Sequence, residues 1–388
     1  MKHIGLIVER HWHYGRRLCE GIAACSREDG GVALEFVDPD ELPDAKRLRR
    51  HDGFIARVWD DSIAEPLRRS GRPVIDIYAG DSRPGFAVAD QDSTLIGHLA
   101  AHHFIERRFT RFAFCGYSRQ RFSVLLREAF AKALEDESFG CDAFEDDTVT
   151  AEAFWRKIIQ KGSVDLGANR TALARWVREL EKPVGVFCAH DLVALDLVKV
   201  CAKAGIAVPE DVAVLGVDND PLLCDFTNPT ISSIDPNAFE VGRVALGNLL
   251  RWIETGQRPD DAFSAPAGLV ARTSTDAFVT SARWLSDALA FIRRNVSRNI
   301  NAAEVIASTG RSHTTVEKAF RDELGTSVRR EIARVRMAEA RRLLRDGRLP
   351  ISEVAKRSGF SSTVYFTAAF SAAEGIPPLA FRNRRRRE

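Results

Sequence analysis

Residues 304–325 read EVIASTGRSHTTVEKAFRDELG, and residues 353–375 read EVAKRSGFSSTVYFTAAFSAAEG. Both follow one plan. A short helix-forming stretch ends at a glycine (Gly310, Gly359), a serine opens a longer helix carrying a phenylalanine (Phe320, Phe370), and a second glycine closes it. Glycine takes the left-handed conformation that ends a helix without steric cost. Ser312 and Ser361 are expected to cap the helices that follow. Two such helix-turn-helix units predict two recognition helices on one face, an arrangement suited to reading double-stranded DNA.

Charge points the same way. Residues 281–388 hold 22 Lys plus Arg against 11 Asp plus Glu, whereas residues 1–280 hold 34 against 43. The overall balance of +2 therefore hides a basic C-terminal segment joined to an acidic remainder. That asymmetry favours a polyanionic partner, whose phosphates would supply the non-specific part of the affinity.

Helical phase divides each longer helix into an inner and an outer face. Val316, Ala319, Phe320 and Leu324 recur at helical spacing and are expected to pack inward. His313, Thr314, Glu317, Lys318 and Arg321 are left for DNA, those near the helix start for base edges and Arg321 for phosphate. In the second unit Phe366, Ala369, Phe370 and Ala373 form the expected apolar stripe, and Ser362, Thr363, Tyr365 and Thr367 are the DNA-binding candidates. Ala368 also faces outward. This outer face carries no charge, so most base selectivity is expected from the first helix. A helix over Val328–Arg345 is expected to join the units, with the arginines of 382–387 as a phosphate clamp or an unordered tail.

The first 280 residues alternate short apolar runs with helix-length amphipathic stretches. Strands are expected over residues 3–8, 32–37, 53–58, 73–78, 111–116, 184–189, 212–218 and 231–234, with helices between. Regular alternation of this kind means parallel sheets covered by helices, and the length favours two doubly wound lobes. Ligands bind such folds at the carboxyl ends of strands. Tyr14, Arg16, Arg57, Asp92, His190, Asp191, Asp218 and Asn219 hold such positions, and their groups can share hydrogen bonds with sugar hydroxyls. Asp92 and Asp191 equally suit helix N-caps, and Asn219 a turn.

The run FCAHDLVALDLVKVCAKAGIAVPEDVAVLGVDND (187–220), followed by NPTISSID (228–235), resembles the sugar-sensing core of LacI/GalR-type repressors. So do VADQDSTLIGHLAAHHFIERRFTRFAFCG (88–116) and VARTST (270–275). The resemblance implies a two-lobed periplasmic-binding-protein fold over 1–278. It also implies a sugar-hydroxyl contact at Asp218, a polar contact at His190 where asparagine is usual, and an arginine contact from Arg127, with Arg121 as the alternative. Residues 279–388 resemble the AraC/XylS family: GFSSTVYFTAAFSAAEGIPPLAFR (359–382) is similar to its signature, with helix-turn-helix units at about 302–325 and 351–375.

Together the two resemblances imply a regulator that binds promoter DNA, at tandem half-sites, in response to a small sugar, with D-xylose favoured. A homodimer is expected, with RNA polymerase as a further partner if the chain activates transcription. Repression, or another aldose, is the alternative within this class. A sugar-binding protein or α/β enzyme with an incidental basic tail is the alternative outside it. No phosphate-binding loop, dinucleotide fingerprint or nucleophile elbow supports an enzyme. No cofactor is expected, and His98 and His102, four residues apart, lack a third metal ligand. Seven scattered cysteines form no CxxC pair. No signal peptide or membrane span is read, and a cytoplasmic location is expected.

Overall fold

The computed structural model describes residues 1–42, 44–78, 84–161, 169–280, 282–346 and 349–384. The chain divides into two units, Met1–Thr275 and Asp276–Glu388. The division falls three residues before the 278/279 boundary read from the sequence.

The first unit is α/β. Its strands are β1 (Lys2–Ile7), β2 (Val32–Phe36), β3 (Gly53–Ala56), β4 (Val74–Asp76), β5 (Ala87–Gln91), β6 (Phe112–Tyr117), β7 (Asp142–Asp146), β8 (Val184–Cys188), β9 (Val212–Val217), β10 (Ser232–Asp235), β11 (Ala262–Ser264) and β12 (Gly268–Val270). They form two six-stranded sheets, ordered β11-β5-β4-β3-β1-β2 and β12-β10-β9-β8-β6-β7. Every pairing is parallel except β10 with β12. The chain passes between sheets after β5, β10 and β11, so each lobe is built from separated stretches of sequence. The central strands β3, β4, β6, β8 and β9 are wholly buried, as strands covered by helices on both faces must be.

Helices His13–Asp29 and Ala238–Thr255 pack closely in the first lobe. A Cβ on Gly21 would lie 1.9 Å from the Phe239 carbonyl oxygen, and one on Gly242 would lie 2.1 Å from that of Leu18. The two backbones approach each other because neither helix carries a side chain there.

The second unit is all helical among the described residues. The first apolar cluster gathers Leu285, Leu289, Val305, Val316 and Phe320, and the second gathers Leu343, Leu344, Val354, Phe366 and Phe370. One helix, Val328–Asp346, contributes Val328, Ile332 and Val335 to the first cluster and Ala340, Leu343 and Leu344 to the second. The units are thus two small bundles strung on a common rod. They also touch directly: Gly359 sits at φ 75°, and a Cβ there would lie 1.9 Å from the Val296 carbonyl oxygen.

Candidate functional site

The cleft of the first unit holds about 450 Å³ of atom-free space, part of it open to solvent. Its polar lining comes from the carboxyl ends of parallel strands in both sheets. Glu9 follows β1, Arg57 follows β3, and Asp90 and Gln91 end β5, while His190 follows β8 and Asp218 follows β9. Aromatic rings complete the walls: Trp12, Tyr14, Tyr78, Phe122 and Trp155.

Arg57 is 4% exposed and paired with Glu9 in a two-pronged contact, Nε to Oε2 at 2.7 Å and Nη2 to Oε1 at 2.6 Å. Burial opposes the guanidinium charge, but the Glu9 carboxylate outweighs it and raises the pKa. The guanidinium carbon lies 4.3 Å from the centre of the Trp155 ring and 5.5 Å from that of Tyr14. Across the cavity, Tyr14 donates to Asp90 Oδ1 at 3.2 Å. The buried Gln91 carboxamide oxygen accepts no hydrogen bond.

His190 caps the helix Asp191–Ala204, its Nδ1 accepting from the Leu192 amide at 3.0 Å. That places the proton of the neutral ring on Nε2, which stands 3.2 Å from Asp218 Oδ2. Burial pushes the imidazole pKa down to about 3, so the ring is neutral at physiological pH. Burial also raises the Asp218 carboxyl well above the usual carboxylate range, with the negative charges of Asp191, Glu9 and Asp220 adding to the effect.

The backbone at Asp218 is itself unusual, with φ 102°, followed by Asn219 at φ 51°. Non-glycine residues occupy such conformations only where their surroundings impose them. Here the imposing group is Asp191. Its Oδ1 accepts from the Ser233 hydroxyl at 2.6 Å and its Oδ2 from the Asp220 amide at 2.8 Å, while Ser233 Oγ accepts from the Asn219 amide at 2.9 Å. Burial pushes Asp191 up to about 7.

Of the residues read from sequence, Tyr14, Arg57, His190 and Asp218 meet in this cavity. The other five lie outside its lining. Asp92 caps the helix Ser93–Ile105 by accepting from the Leu95 amide, and Asp191 is buried beneath the Asp218 turn. Arg16 donates to the His11 carbonyl. Arg127 faces Glu145 at 3.4 Å, and Asn219 Oδ1 accepts from Arg272 at 3.0 Å. Arg121 is also absent from the lining. Glu9, Trp12, Tyr78, Asp90, Gln91, Phe122 and Trp155 were not among the residues expected from sequence. Glu9 and Asp90 carried the same strand-end signal as the residues chosen, whereas Phe122 and Trp155 reach the cavity from helices.

The second unit presents helices His313–Leu324 and Thr363–Glu374 in closely similar settings. Ser312 accepts from the Thr315 amide at 3.2 Å, and Ser362 from the Tyr365 amide at 3.1 Å. The second cap is therefore Ser362 and not Ser361, because one more residue separates it from the preceding glycine. Val316, Phe320, Phe366 and Phe370 are buried. His313, Thr314, Lys318 and Arg321 are exposed and Glu317 half-buried. Thr363 and Tyr365 are exposed, and Thr367 is half-buried. Ala373, expected in the apolar stripe, is exposed, since Phe381 closes the second cluster beside Phe370 in its place. Arg382 donates to the Leu349 carbonyl at 2.6 Å, and the tail arginines from residue 385 onward lie outside the described residues.

Residues 101–275 match the sequence model of a periplasmic binding protein-like domain, and residues 305–384 that of a helix-turn-helix domain. Over 98% of its length the chain is 24% identical to a xylose operon regulatory protein of Haemophilus influenzae, covering 97% of that protein. It is 25% identical to one of Escherichia coli K12, covering 96%. Among solved structures, a xylose-binding transcription activator superposes with a TM-score of 0.62 at 22% identity, over 98% of this chain and 97% of the other. A LacI family regulator from Enterococcus faecium with bound ribose gives 0.56 at 22% identity, over 71% and 98%. These last two are likenesses of fold.

Proposed function

The chain belongs with the AraC/XylS-type regulators that carry a LacI/GalR-type, periplasmic-binding-protein-like sensing domain, and on that premise we propose that D-xylose is the effector and transcriptional activation the response. A sugar-responsive, DNA-binding transcription regulator is what the two domains together make. The observation that carries the finer reading is the composition of the cleft. Glu9 and Asp90 offer carboxylate acceptors, Asp218 a carboxyl group, Gln91 a carboxamide oxygen, and Trp12, Phe122 and Trp155 apolar faces, within one cavity. Carboxylates and amides accept from hydroxyls, and aromatic faces cover the C–H surface of a sugar ring.

Both sheets supply contacts, so a sugar held by Asp90 on one side and Asp218 on the other binds a closed cleft more tightly than an open one. That differential affinity is what shifts a population between two states. The xylose-related names of relatives along the whole chain support the choice of pentose. Promoter DNA with tandem half-sites, a homodimer and contact with RNA polymerase complete the reading. No helix among the described residues is long and apolar enough to cross a membrane.

Titration calorimetry with D-xylose, D-ribose, L-arabinose and D-glucose tests the effector. Tightest binding of xylose is expected, and preference for another sugar overturns that identity. A promoter-reporter assay with and without the bound sugar tests activation, and a fall in transcription on sugar addition would make the chain a derepressed repressor.

A further inference from the structure

The two recognition helices share one burial pattern but not one chemistry. Offset by fifty residues, their caps and core coincide: Ser312 with Ser362, Val316 with Phe366, Phe320 with Phe370, Gly325 with Gly375. From 311 to 320 and from 361 to 370 the sequence of buried, half-buried and exposed positions is the same. The outward positions therefore correspond one to one. Thr314 becomes Val364, Glu317 becomes Thr367, Lys318 becomes Ala368 and Arg321 becomes Ser371.

The second helix thus shows solvent an apolar row at the place where the first shows charge. Val364 is 82% exposed and Tyr365 is 61% exposed. Ala368 is exposed as well. Thr367 joins this row through its methyl group, because its hydroxyl turns back to donate to the Thr363 carbonyl at 2.8 Å. Between Thr363 and Ala373 no side chain is charged. A cluster of this kind on a charged surface marks a contact. Its occupant follows from position: the patch occupies the base-reading place of a helix-turn-helix in a segment, residues 281–388, with twice as many basic as acidic residues. In the major groove the group that an apolar side chain recognises is the C5-methyl of thymine.

We propose that the second recognition helix reads thymine methyl groups through Val364, Thr367 and Ala368, so that the operator has one half-site chosen by methyl contacts and another by hydrogen bonds from the first helix, Lys318 among them. This rests on the regulator reading above. It differs from the expectation that most base selectivity comes from the first helix, because apolar contacts discriminate without donors.

The test uses the full-length chain and a site obtained by binding selection. Thymidine is replaced by deoxyuridine in each half-site separately, which removes only the methyl groups. In the half-site unaffected by Lys318→Ala, each contacted methyl should be worth about fourfold in affinity. Val364→Ala should shrink that penalty while leaving the melting temperature unchanged, as befits so exposed a residue. Tyr365→Ala should lower affinity as a flanking contact. If uracil is tolerated in both half-sites while site-specific binding persists, or the penalty survives Val364→Ala intact, the methyl-reading assignment is wrong. If uracil is tolerated and Val364→Ala instead impairs activation with purified RNA polymerase, the patch is a protein contact. Absence of any site-specific binding would overturn the regulator reading itself.

Discussion

Asp218 is held in a backbone conformation that costs about 1–3 kcal/mol for a residue with a side chain, and the clamp that holds it is a second aspartate. The carboxylate that reaches the cavity and the one that fixes its turn have separable consequences. Asp218→Ala should lower sugar affinity by about 1–3 kcal/mol, the cost of leaving hydroxyl donors unmatched in a buried site. Unchanged affinity by calorimetry would remove Asp218 from the sugar contacts, and DNA binding without sugar should be retained. Asp191 predicts a pH effect. Its carboxyl is pushed up to about 7 in the folded chain from an ordinary value near 3.8, so the folded state holds the proton more tightly than the unfolded state. Stability then falls as pH rises through that window. Denaturant melts between pH 4 and pH 7 should show the wild-type chain losing ground against Asp191→Asn as pH rises. A constant difference would mean that Asp191 titrates normally. Sequence made Asp218 and His190 visible because each follows an apolar strand. It could not make Trp155 or Phe122 visible, since neither strand-end logic nor helical phase says which helical ring faces a cleft between two lobes.

At the scale of elements, the pair Gly21 and Gly242 sets how near two helices lie. Gly242→Ala would drive a methyl into the Leu18 carbonyl, and overpacking of this sort destabilises by about 1–3 kcal/mol. A thermal melt of the variant should therefore show a lowered midpoint, and no change would mean that the helices can part freely. The central strands were legible because burial on both faces demands unbroken apolar runs. The interior strand β5 was not, since it reads AVADQ and ends in polar residues, and neither were β7, β11 and β12. These last three lie at sheet edges, β11 and β12 are three residues long, and β7 reads DAFED, so neither length nor hydropathy separates them from loops. The paired helix-turn-helix units were the most legible elements of all, since glycine, serine and phenylalanine recur there at positions fixed by local geometry.

For the whole molecule, the separation into an acidic sensing unit and a basic helical unit makes a quantitative expectation. Residues 276–388 form their own apolar clusters, and as an isolated fragment they should bind DNA without sugar. Affinity should fall linearly on a logarithmic salt scale, with a slope near −0.9 per phosphate neutralised. Lys318→Ala should both flatten that slope and relax base preference, whereas Thr367→Ala should change the slope little. Filter-binding titrations at several salt concentrations distinguish the two. A fragment that folds and binds without salt dependence would mean that its charge is not directed at phosphate.

The contact of Gly359 with the Val296 carbonyl has a metrological consequence. The two reading heads are joined at two points, by the shared helix Val328–Asp346 and by this close approach, and the second contact restricts rotation of one head against the other about the shared helix. Such a caliper measures the interval between half-sites as well as their letters. DNA of the wrong interval must be twisted or bent to fit, which costs about 1–6 kcal/mol for bends of ordinary size. One base pair inserted between half-sites should therefore cost more than most single-base changes within them. Gly359→Ala, by prising the heads apart, should blunt that penalty and turn a gauge of spacing into two loosely tethered readers.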